Sequence, residues 1–434
     1  MRVSVESLAH GGDAVARLDD GRVAFVRGGC PGDVLEIEII ADHGSRVDAM
    51  IASVLDPSPD RVKPPCLYFG RCGGCQWQHV SAEVQHAAKT RNVSDALARI
   101  GKLDVAVSPI VSSSSDYGYR NKVEFVVEES DRGLQLGLHR RGDTTLLPVL
   151  SCLLLPRQLQ KAPHALAGAL RYLAGRHGPL GVHRVGIRVA RHTTDVEVAL
   201  WTSPGHFPRQ MAAKALADAV GASGVVRVLV KGPPNQRNVT GVEVLKGRGN
   251  WRETLGGNRM AISAPSFFQV NTHAAEALVD HVIEALSPGE NDRVLDLYSG
   301  AGTFTLPLAA RAGEVVAVEG SRHALADLRR NLESAQVYAD VVGGDVSREL
   351  PALGTFDLAV LDPPRSGLDR EARTALTGTG ARTIAYVSCD PATLARDARE
   401  LCASGYRIAR VTPHDLFPQT YHVESVAIFE RDDL

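Results

Sequence analysis

The sequence has little net charge and no long apolar run. Its 48 Lys and Arg residues against 50 Asp and Glu residues leave a net charge of −2, so any polyanion-binding site must be a local patch. No window approaches the roughly 20 apolar residues that a membrane span needs, and the first residues lack the apolar stretch of a secretion signal. We therefore expect a cytoplasmic protein with no membrane partner.

Internal repeats are also absent, and cysteine is scarce. The 434 residues contain seven cysteines, and a reducing compartment disfavours a disulfide framework for them. At roughly 150 residues per domain, the length predicts about three domains.

Three regions differ in their pattern. Residues 1–56 alternate short β-rich runs with glycine turns, which predicts a small closed β-barrel. After a proline-rich linker, residues 57–255 hold a cysteine-rich stretch, a helix over about 81–100 that could pack on the last of the three regions, and a central α+β region. Residues 256–434 alternate apolar strands with helical stretches, so we predict an α/β fold with a doubly wound, mostly parallel sheet.

A glycine-rich turn follows the first strand of the last region. Gly300 and Gly302 lie in this turn, and Glu319 ends the next strand. Glycines let a ligand approach the backbone, and an acid at the end of the second strand can accept hydrogen bonds from both hydroxyls of a ribose. Thr305 stands where a dinucleotide fingerprint has its third glycine, which disfavours NAD.

Four acids follow successive strands of this sheet: Asp296, Glu319, Asp345 and Asp362. Any one of them could simply cap a helix, but the row suits a cationic ligand that carries an adenosine. The layout resembles that of class I S-adenosylmethionine-dependent methyltransferases.

Three segments suggest the chemistry: Asp362-Pro-Pro-Arg365, Ser388-Cys-Asp-Pro391 and His422-Val-Glu-Ser-Val426. Cys389 ends the fifth strand just before a helix start, where helix dipoles lower a thiol pKa from about 8.5 toward neutrality. A lone cysteine is more often a buried small hydrophobe, and Glu424 alone would be a solvated strand residue.

Together with Phe267-Phe-Gln-Val-Asn271, these segments resemble the RNA uracil-C5 methyltransferases that make 5-methyluridine. The N-terminal barrel is similar to the TRAM RNA-binding module, so the resemblance covers nearly the whole chain. It implies that Cys389 is the nucleophile that adds to uracil C6 and that Glu424 removes the C5 proton. It also implies an S-adenosylmethionine site made by Gln269, Tyr298, Gly300, Glu319, Asp345 and Asp362. Ser299 and Thr303 stand where this turn usually has Cys and Asn, and this difference concerns the detailed contacts with the cofactor and not the presence of the site.

Cys66, Cys72, Cys75 and Cys152 form a triplet with one remote partner. Structural zinc usually has two close pairs, whereas iron-sulfur clusters tolerate this spacing, and the resemblance implies a [4Fe-4S] cluster on these four residues. Zinc and unligated thiols remain the alternatives.

RNA is the expected partner of this chain, which we expect to be a monomer. Basic residues exceed acids over 231–252 and over 183–192, and these stretches could form a phosphate patch. The barrel and the cysteine cluster together resemble the ribosomal branch, which favours 23S rRNA, with tRNA as the alternative.

Adenine-N6 methylation fits less well because Arg365, not an aromatic residue, follows Asp-Pro-Pro. A non-catalytic RNA-binding or redox scaffold is the other alternative.

Overall fold

A computed structural model describes residues 1–130, 133–233 and 237–432. Contacts divide this chain into two compact units. The first unit holds residues 1–116, 364–367 and 386–432, and the second holds residues 117–363 and 368–385. The predicted division at residues 56 and 255 remains a prediction.

In chain order the strands are β1 Arg2–Leu8, β2 Ala14–Arg17, β3 Val23–Arg27, β4 Val34–Asp42, β5 Arg46–Asp56, β6 Lys122–Ser130, β7 Gly133–His139, β8 Leu146–Pro148, β9 Val182–Val189, β10 Val196–Thr202, β11 Gly224–Lys231, β12 Asn238–Lys246, β13 Trp251–Leu255, β14 Asn258–Ile262, β15 Arg293–Leu297, β16 Glu314–Glu319, β17 Asp340–Gly343, β18 Leu358–Leu361, β19 Thr383–Ser388, β20 Tyr406–His414 and β21 Glu424–Arg431. The helices are α1 Ala82–Ala96, α2 Ala162–His177, α3 Arg209–Val220, α4 Thr272–Leu286, α5 Thr305–Ala309, α6 Arg322–Ala335, α7 Val346–Glu349, α8 Arg370–Gly378 and α9 Pro391–Ala403. None of the helices in the described residues has the length and apolar composition needed to cross a membrane.

The first unit begins with the predicted closed barrel, in the order β1-β2-β3-β5-β4. In β1, β2 and β3 every second residue points inward, as Val3 and Val5 do in β1, because side chains alternate across a strand. Trp77 joins this core, is fully buried, and donates from Nε1 to the Gly12 carbonyl at 3.2 Å. The predicted barrel is confirmed, and the chain after it covers part of its apolar interior.

Helix α1 lies in the same unit and packs on α9 and on β20. Ser81 caps it by accepting from the Val84 amide, and the π-helical turn Leu97–Gly101 continues it. A Cβ at Gly101 would lie only 3.0 Å from the Ala395 carbonyl oxygen, so the missing side chain permits this close packing.

The second unit contains the predicted α+β region and most of the predicted parallel sheet. Its first sheet has the order β12-β11-β10-β9-β6-β7-β8, and α2 and α3 pack on it. Its second large sheet runs β17-β16-β15-β18-β19 with parallel pairing from β17 to β18. Strand β19 gives residues 383–385 to this unit and residues 386–388 to the first unit, where β21 and β20 follow it in the sheet. The pair β20–β21 is antiparallel, and the doubly wound, mostly parallel architecture is confirmed.

Candidate active site

The glycine turn after β15 has two glycines with different tasks. A Cβ at Gly302 would meet Leu306 Cδ1 at 2.2 Å, so this glycine allows close helix packing. Gly300 has a φ of +58°, and a Cβ there would find no atom closer than the Tyr298 carbonyl oxygen at 4.0 Å. The backbone at Gly300 therefore faces open space and lets a ligand approach. Tyr298, also predicted to bind the cofactor, has a φ of +60°, which an L-residue adopts only when the surroundings impose it.

Glu319 is fixed beside this turn by two backbone amides. Its Oε2 accepts from the Gly300 amide at 2.8 Å, and its Oε1 accepts from the Ser321 amide at 2.6 Å. The carboxylate is thus held at the end of β16 with further lone pairs available for hydroxyl groups.

Gln269 and Asp362 are brought together from distant parts of the chain. Gln269 is buried, and its Nε2 donates to Asp362 Oδ2 at 3.2 Å. The backbone carbonyl of Gln269 accepts from Asn121 Nδ2 at 2.8 Å, and this hydrogen bond fixes the loop before α4. Desolvation raises the pKa of Asp362 to about 7. A bound cation near this carboxyl would favour its ionised form.

A second acid of this edge, Asp296, is buried and accepts from Thr305 Oγ1 at 2.5 Å. Burial is the main reason that its pKa rises to about 7, and the nearby charges of Asp362 and Glu319 add to the rise. Two carboxyls with such raised pKa values on one sheet edge are typical of functional sites.

Asp345 has a different environment from the other acids. It is exposed and caps α7 by accepting from the Ser347 amide at 3.1 Å. A hydrogen bond from the Ser347 side chain is the main cause that lowers the pKa of Asp345. For this residue the helix-capping interpretation is confirmed, and its place in a cofactor pocket remains a prediction.

Cys389 lies in the first unit between the end of β19 and the start of α9. Asp390 caps α9, and its Oδ1 accepts from the amides of Ala392 and Thr393 at 3.0 and 2.9 Å. His10 Nε2 lies 3.8 Å from Asp390 Oδ2, and this imidazole is the main cause that lowers the pKa of Asp390 to about 2. The amides of Ala392 and Thr393 in the first turn of α9 thus donate to the Asp390 carboxylate.

Glu424 begins β21 in the same unit and is 2% exposed. It pairs with His414, the last residue of β20. Since α9 is the crossover from β19 to β20, these strands run in the same direction. Cys389 after β19 and Glu424 opposite the end of β20 therefore lie at the same edge of the sheet.

The loop before Glu424 has anchors that sequence reasoning missed. Lys89 in α1 is fully buried and donates to Asp415 Oδ1 at 2.6 Å and to the Phe417 carbonyl at 3.1 Å. Gln85 makes two hydrogen bonds with Gln419. Its Nε2 donates to Gln419 Oε1 at 3.2 Å, and its Oε1 accepts from the Gln419 backbone amide at 3.0 Å. A lysine and a glutamine four residues apart on α1 thus fix this loop. The sequence would have indicated these anchors only if the burial of the two polar side chains had been recognised.

The predicted metal-binding cysteines are divided between the two units. Cys66, Cys72 and Cys75 lie in a turn-rich loop of the first unit, where the Gly74 amide donates to Cys72 Sγ at 3.4 Å. Cys152 belongs to the second unit. Within residues 1–130, 133–233 and 237–432, the one group of three or more ligand atoms within 4.8 Å of one another contains no cysteine.

The predicted basic stretches divide into structural and exposed residues. Arg188 is buried and donates to the carbonyls of Ser263 and Ser266 at 2.8 and 2.6 Å, so its expected part in a phosphate patch is wrong. A cavity of about 430 Å³ in the second unit is instead lined by four arginines, a set we call the arginine cleft: Arg248, Arg252, Arg259 and Arg330. The first three are exposed and form no ion pair within the described part of the chain.

Three family models match parts of this chain, and two relatives match nearly all of it. Residues 353–432 match the tRNA (uracil-5-)-methyltransferase model, residues 270–377 match the methyltransferase small domain, and residues 1–47 match the TRAM domain. An uncharacterised RNA methyltransferase of Thermosynechococcus vestitus is 35% identical, over 99% of this chain and 97% of its own length. The 23S rRNA (uracil(1939)-C(5))-methyltransferase of Thiobacillus denitrificans is also 35% identical, over 99% of both chains.

A solved structure is similar over the same extent. The tRNA (uracil-54, C5)-methyltransferase of Pyrococcus abyssi, in complex with S-adenosyl-L-homocysteine, superposes with a TM-score of 0.76 at 25% identity. The match covers 99% of this chain and all of that one.

Proposed function

Since this chain belongs to the RNA uracil-C5 methyltransferases, we propose that it methylates a uridine of large-subunit ribosomal RNA with Cys389 as nucleophile and Glu424 as general base. The observation that carries the roles is the position of these two residues at one edge of the sheet. A nucleophile and a proton acceptor must both reach the same pyrimidine ring, and this edge presents both groups.

The residues of this chain perform each step in turn. The Cys389 thiolate forms a bond to C6 of the uracil, and the C5=C6 electron pair moves to C5, which becomes nucleophilic. S-adenosylmethionine, when bound, supplies an electrophilic methyl group to C5. The Glu424 carboxylate then takes the C5 proton, the electrons of that C–H bond restore C5=C6, and Cys389 leaves as a thiolate. The carboxyl of Glu424 is buried, so bulk solvent is kept away from the group that takes the proton.

The methyl donor fits the residues at the carboxyl ends of β15 to β18. The open space at Gly300 allows close approach of a ligand, and Glu319, fixed by two amides, suits a ribose diol. Gln269, Tyr298 and Asp362 complete the proposed site, with Asp345 at its rim. A sulfonium and an ammonium group would favour ionisation of the carboxyls whose pKa is about 7.

Two surfaces are proposed to hold the RNA. The TRAM barrel is the first, and the arginine cleft is the second, with Arg248 and Arg252 from the central region within residues 57–255 and Arg259 and Arg330 from the region after it. Exposed guanidinium groups without ion-pair partners bind phosphate oxygens well. The target uridine must leave any stacked context to reach Cys389.

Ribosomal RNA is preferred because the Thiobacillus denitrificans relative matches at higher identity than the tRNA enzyme of Pyrococcus abyssi. Mapping 5-methyluridine in rRNA and tRNA from cells with and without the gene tests this choice. We expect one rRNA uridine to lose its methyl group in the deletion and to regain it on complementation, but not with Cys389→Ala. Loss from tRNA alone would replace the rRNA proposal by the tRNA alternative. The same cells should contain the protein in their cytoplasmic fraction.

We also propose that Cys66, Cys72, Cys75 and Cys152 hold a [4Fe-4S] cluster. In such a cluster each thiolate binds a different iron, so the sulfurs lie farther apart than around a single ion. The amide-to-sulfur bond at Cys72 is the kind that stabilises a thiolate. Protein purified without oxygen should contain about four irons and four sulfides per chain, and Cys72→Ala should lose them. Stoichiometric zinc without iron would contradict the proposal.

A further inference from the structure

Three side chains outside the proposed catalytic machinery converge at one place in the second unit. His192 lies in the turn between β9 and β10, His273 is in the first turn of α4, and Glu276 follows it three residues later. His192 Nε2 is 3.0 Å from Glu276 Oε1, and His273 Nδ1 is 3.4 Å from Glu276 Oε2. The three ligand atoms lie within 4.8 Å of one another, and the two imidazole rings meet edge to face at 5.1 Å.

A fully buried carboxylate positions both segments that carry the histidines. Glu253 in β13 accepts from the His192 amide at 3.0 Å and from the Thr272 hydroxyl at 3.1 Å. Thr272 is the residue directly before His273. The His192 turn and the start of α4 are therefore tied to one internal group, and the imidazoles do not depend on mobile loops for their proximity.

We propose that His192, His273 and Glu276 bind a divalent transition-metal ion of the zinc type. Two imidazole nitrogens and one carboxylate oxygen are preferred ligands of Zn²⁺, whereas Mg²⁺ and Ca²⁺ prefer oxygen alone. A simple ion pair needs only one histidine, but here each oxygen of one carboxylate faces a separate imidazole. Contraction of the three atoms around an ion at about 2.0–2.2 Å would complete three corners of a tetrahedron.

The fourth corner of this site remains for water or another solvent ligand. The side chains of His192 and His273 are 34% and 48% exposed, so an ion can enter and leave directly from solvent. The bound ion would tie the β9–β10 turn to α4. It would also add positive charge at the rim of the arginine cleft, because His192 lines that cavity too.

Zinc titration by calorimetry tests the proposal on the full-length protein with its cysteine site intact. We expect the wild type to bind one more equivalent of Zn²⁺ than His273→Ala, and Glu276→Gln to weaken that equivalent at least about tenfold. Glu253→Gln, which changes only a positioning group, should weaken it less than the loss of a ligand does. His206→Ala, an exposed histidine elsewhere in the unit, is the matched control and should bind like the wild type.

Cobalt spectroscopy separates this site from the cysteines. Co²⁺ on the histidine–glutamate site should give visible ligand-field bands without the near-ultraviolet thiolate charge-transfer band, and His192→Asn should remove these bands. Zn²⁺ should raise the Tm of the wild type but not that of His192→Asn. Equal zinc stoichiometry in the wild type, in His192→Asn and in His273→Ala, or a cobalt spectrum with thiolate bands only, would overturn the proposal. Neither readout depends on methyl transfer, so failure of the proposed reaction would leave this result interpretable.

Discussion

The cofactor turn and the loop that leads to Glu424 are held in different ways. The Gly300 amide bonds to Glu319, 19 residues away, across a strand-to-helix turn. The Gln419 amide, in the loop that leads to Glu424 and is here called the catalytic loop, donates to Gln85, 334 residues away. The cofactor turn is thus built mainly from neighbouring parts of one βαβ unit, whereas the catalytic loop depends on a helix from the other end of the chain. Substitutions in α1 should therefore affect the chemistry on uridine more than binding of the methyl donor.

Glu424→Gln should produce the largest difference between the effect on methyl transfer and the effect on cofactor binding. Addition and methyl transfer remain possible, but elimination has no base, so turnover should fall about 10²- to 10⁴-fold. An enzyme–RNA adduct that survives SDS should accumulate, while S-adenosylmethionine affinity stays unchanged. Glu430→Gln, at the exposed end of the same strand, is the control. Product release at the wild-type rate would assign the C5 proton to another group.

Lys89→Met should weaken the catalytic loop without changing the cofactor turn. Removal of one partner from a buried ion pair costs about 3–5 kcal/mol of unfolding free energy when no other partner remains. Loss of Lys89 leaves Asp415 with His86 as its remaining ion-pair partner, so we expect a cost near the lower end of that range. Urea unfolding measures this loss, and methyl transfer should fall with it. Lys214→Met, from the exposed pair with Asp218, should cost much less, because solvent screens an exposed ion pair. If Lys89→Met weakens S-adenosylmethionine binding as much as methyl transfer, the two regions are not separable.

Acidic pH should weaken the cofactor site. The free enzyme carries Asp296 and Asp362 with pKa values of about 7, so these carboxyls take up protons as the pH falls below 7. A cationic ligand needs the ionised form, and its affinity should drop about tenfold per pH unit for each carboxyl that must lose its proton. Calorimetry between pH 6 and pH 8 measures the slope. Asp362→Asn should bind more weakly at pH 8 and with a shallower slope, and a flat profile in the wild type would exclude both carboxyls from cation binding.

The smallest effect is expected for the RNA surface. Arg252→Ala should weaken RNA binding a few-fold for all sequences and reduce the salt slope by somewhat less than one, as expected for the loss of one phosphate contact. Filter binding at several salt concentrations measures it. Arg184→Ala, whose guanidinium pairs with Glu124, should change the slope less. Equal slopes for both variants would remove the arginine cleft from the RNA path.

The same contrast explains what the sequence could predict. The barrel, the α+β region and the parallel sheet follow from alternation and periodicity, which are local properties. The glycine turn and Glu319 were recognisable because their spacing along the chain is short. The Lys89–Asp415 and Gln85–Gln419 contacts join residues more than 320 positions apart, and no local pattern reports such a pair. Burial of Arg188 was missed for the same reason, since its acceptors are carbonyls of residues 263 and 266.

The most direct test of the account is capture of the bond between Cys389 and uracil C6. RNA with 5-fluorouridine at the mapped target should trap the enzyme, because Glu424 cannot remove fluorine from C5 as it removes a proton. Mass spectrometry of the digested adduct should find the nucleotide on the peptide that contains Cys389. Cys389→Ala should form no adduct and no product, yet bind S-adenosylmethionine like the wild type. An adduct on another residue, or methyl transfer by Cys389→Ala within about tenfold of the wild-type rate, would contradict the mechanism.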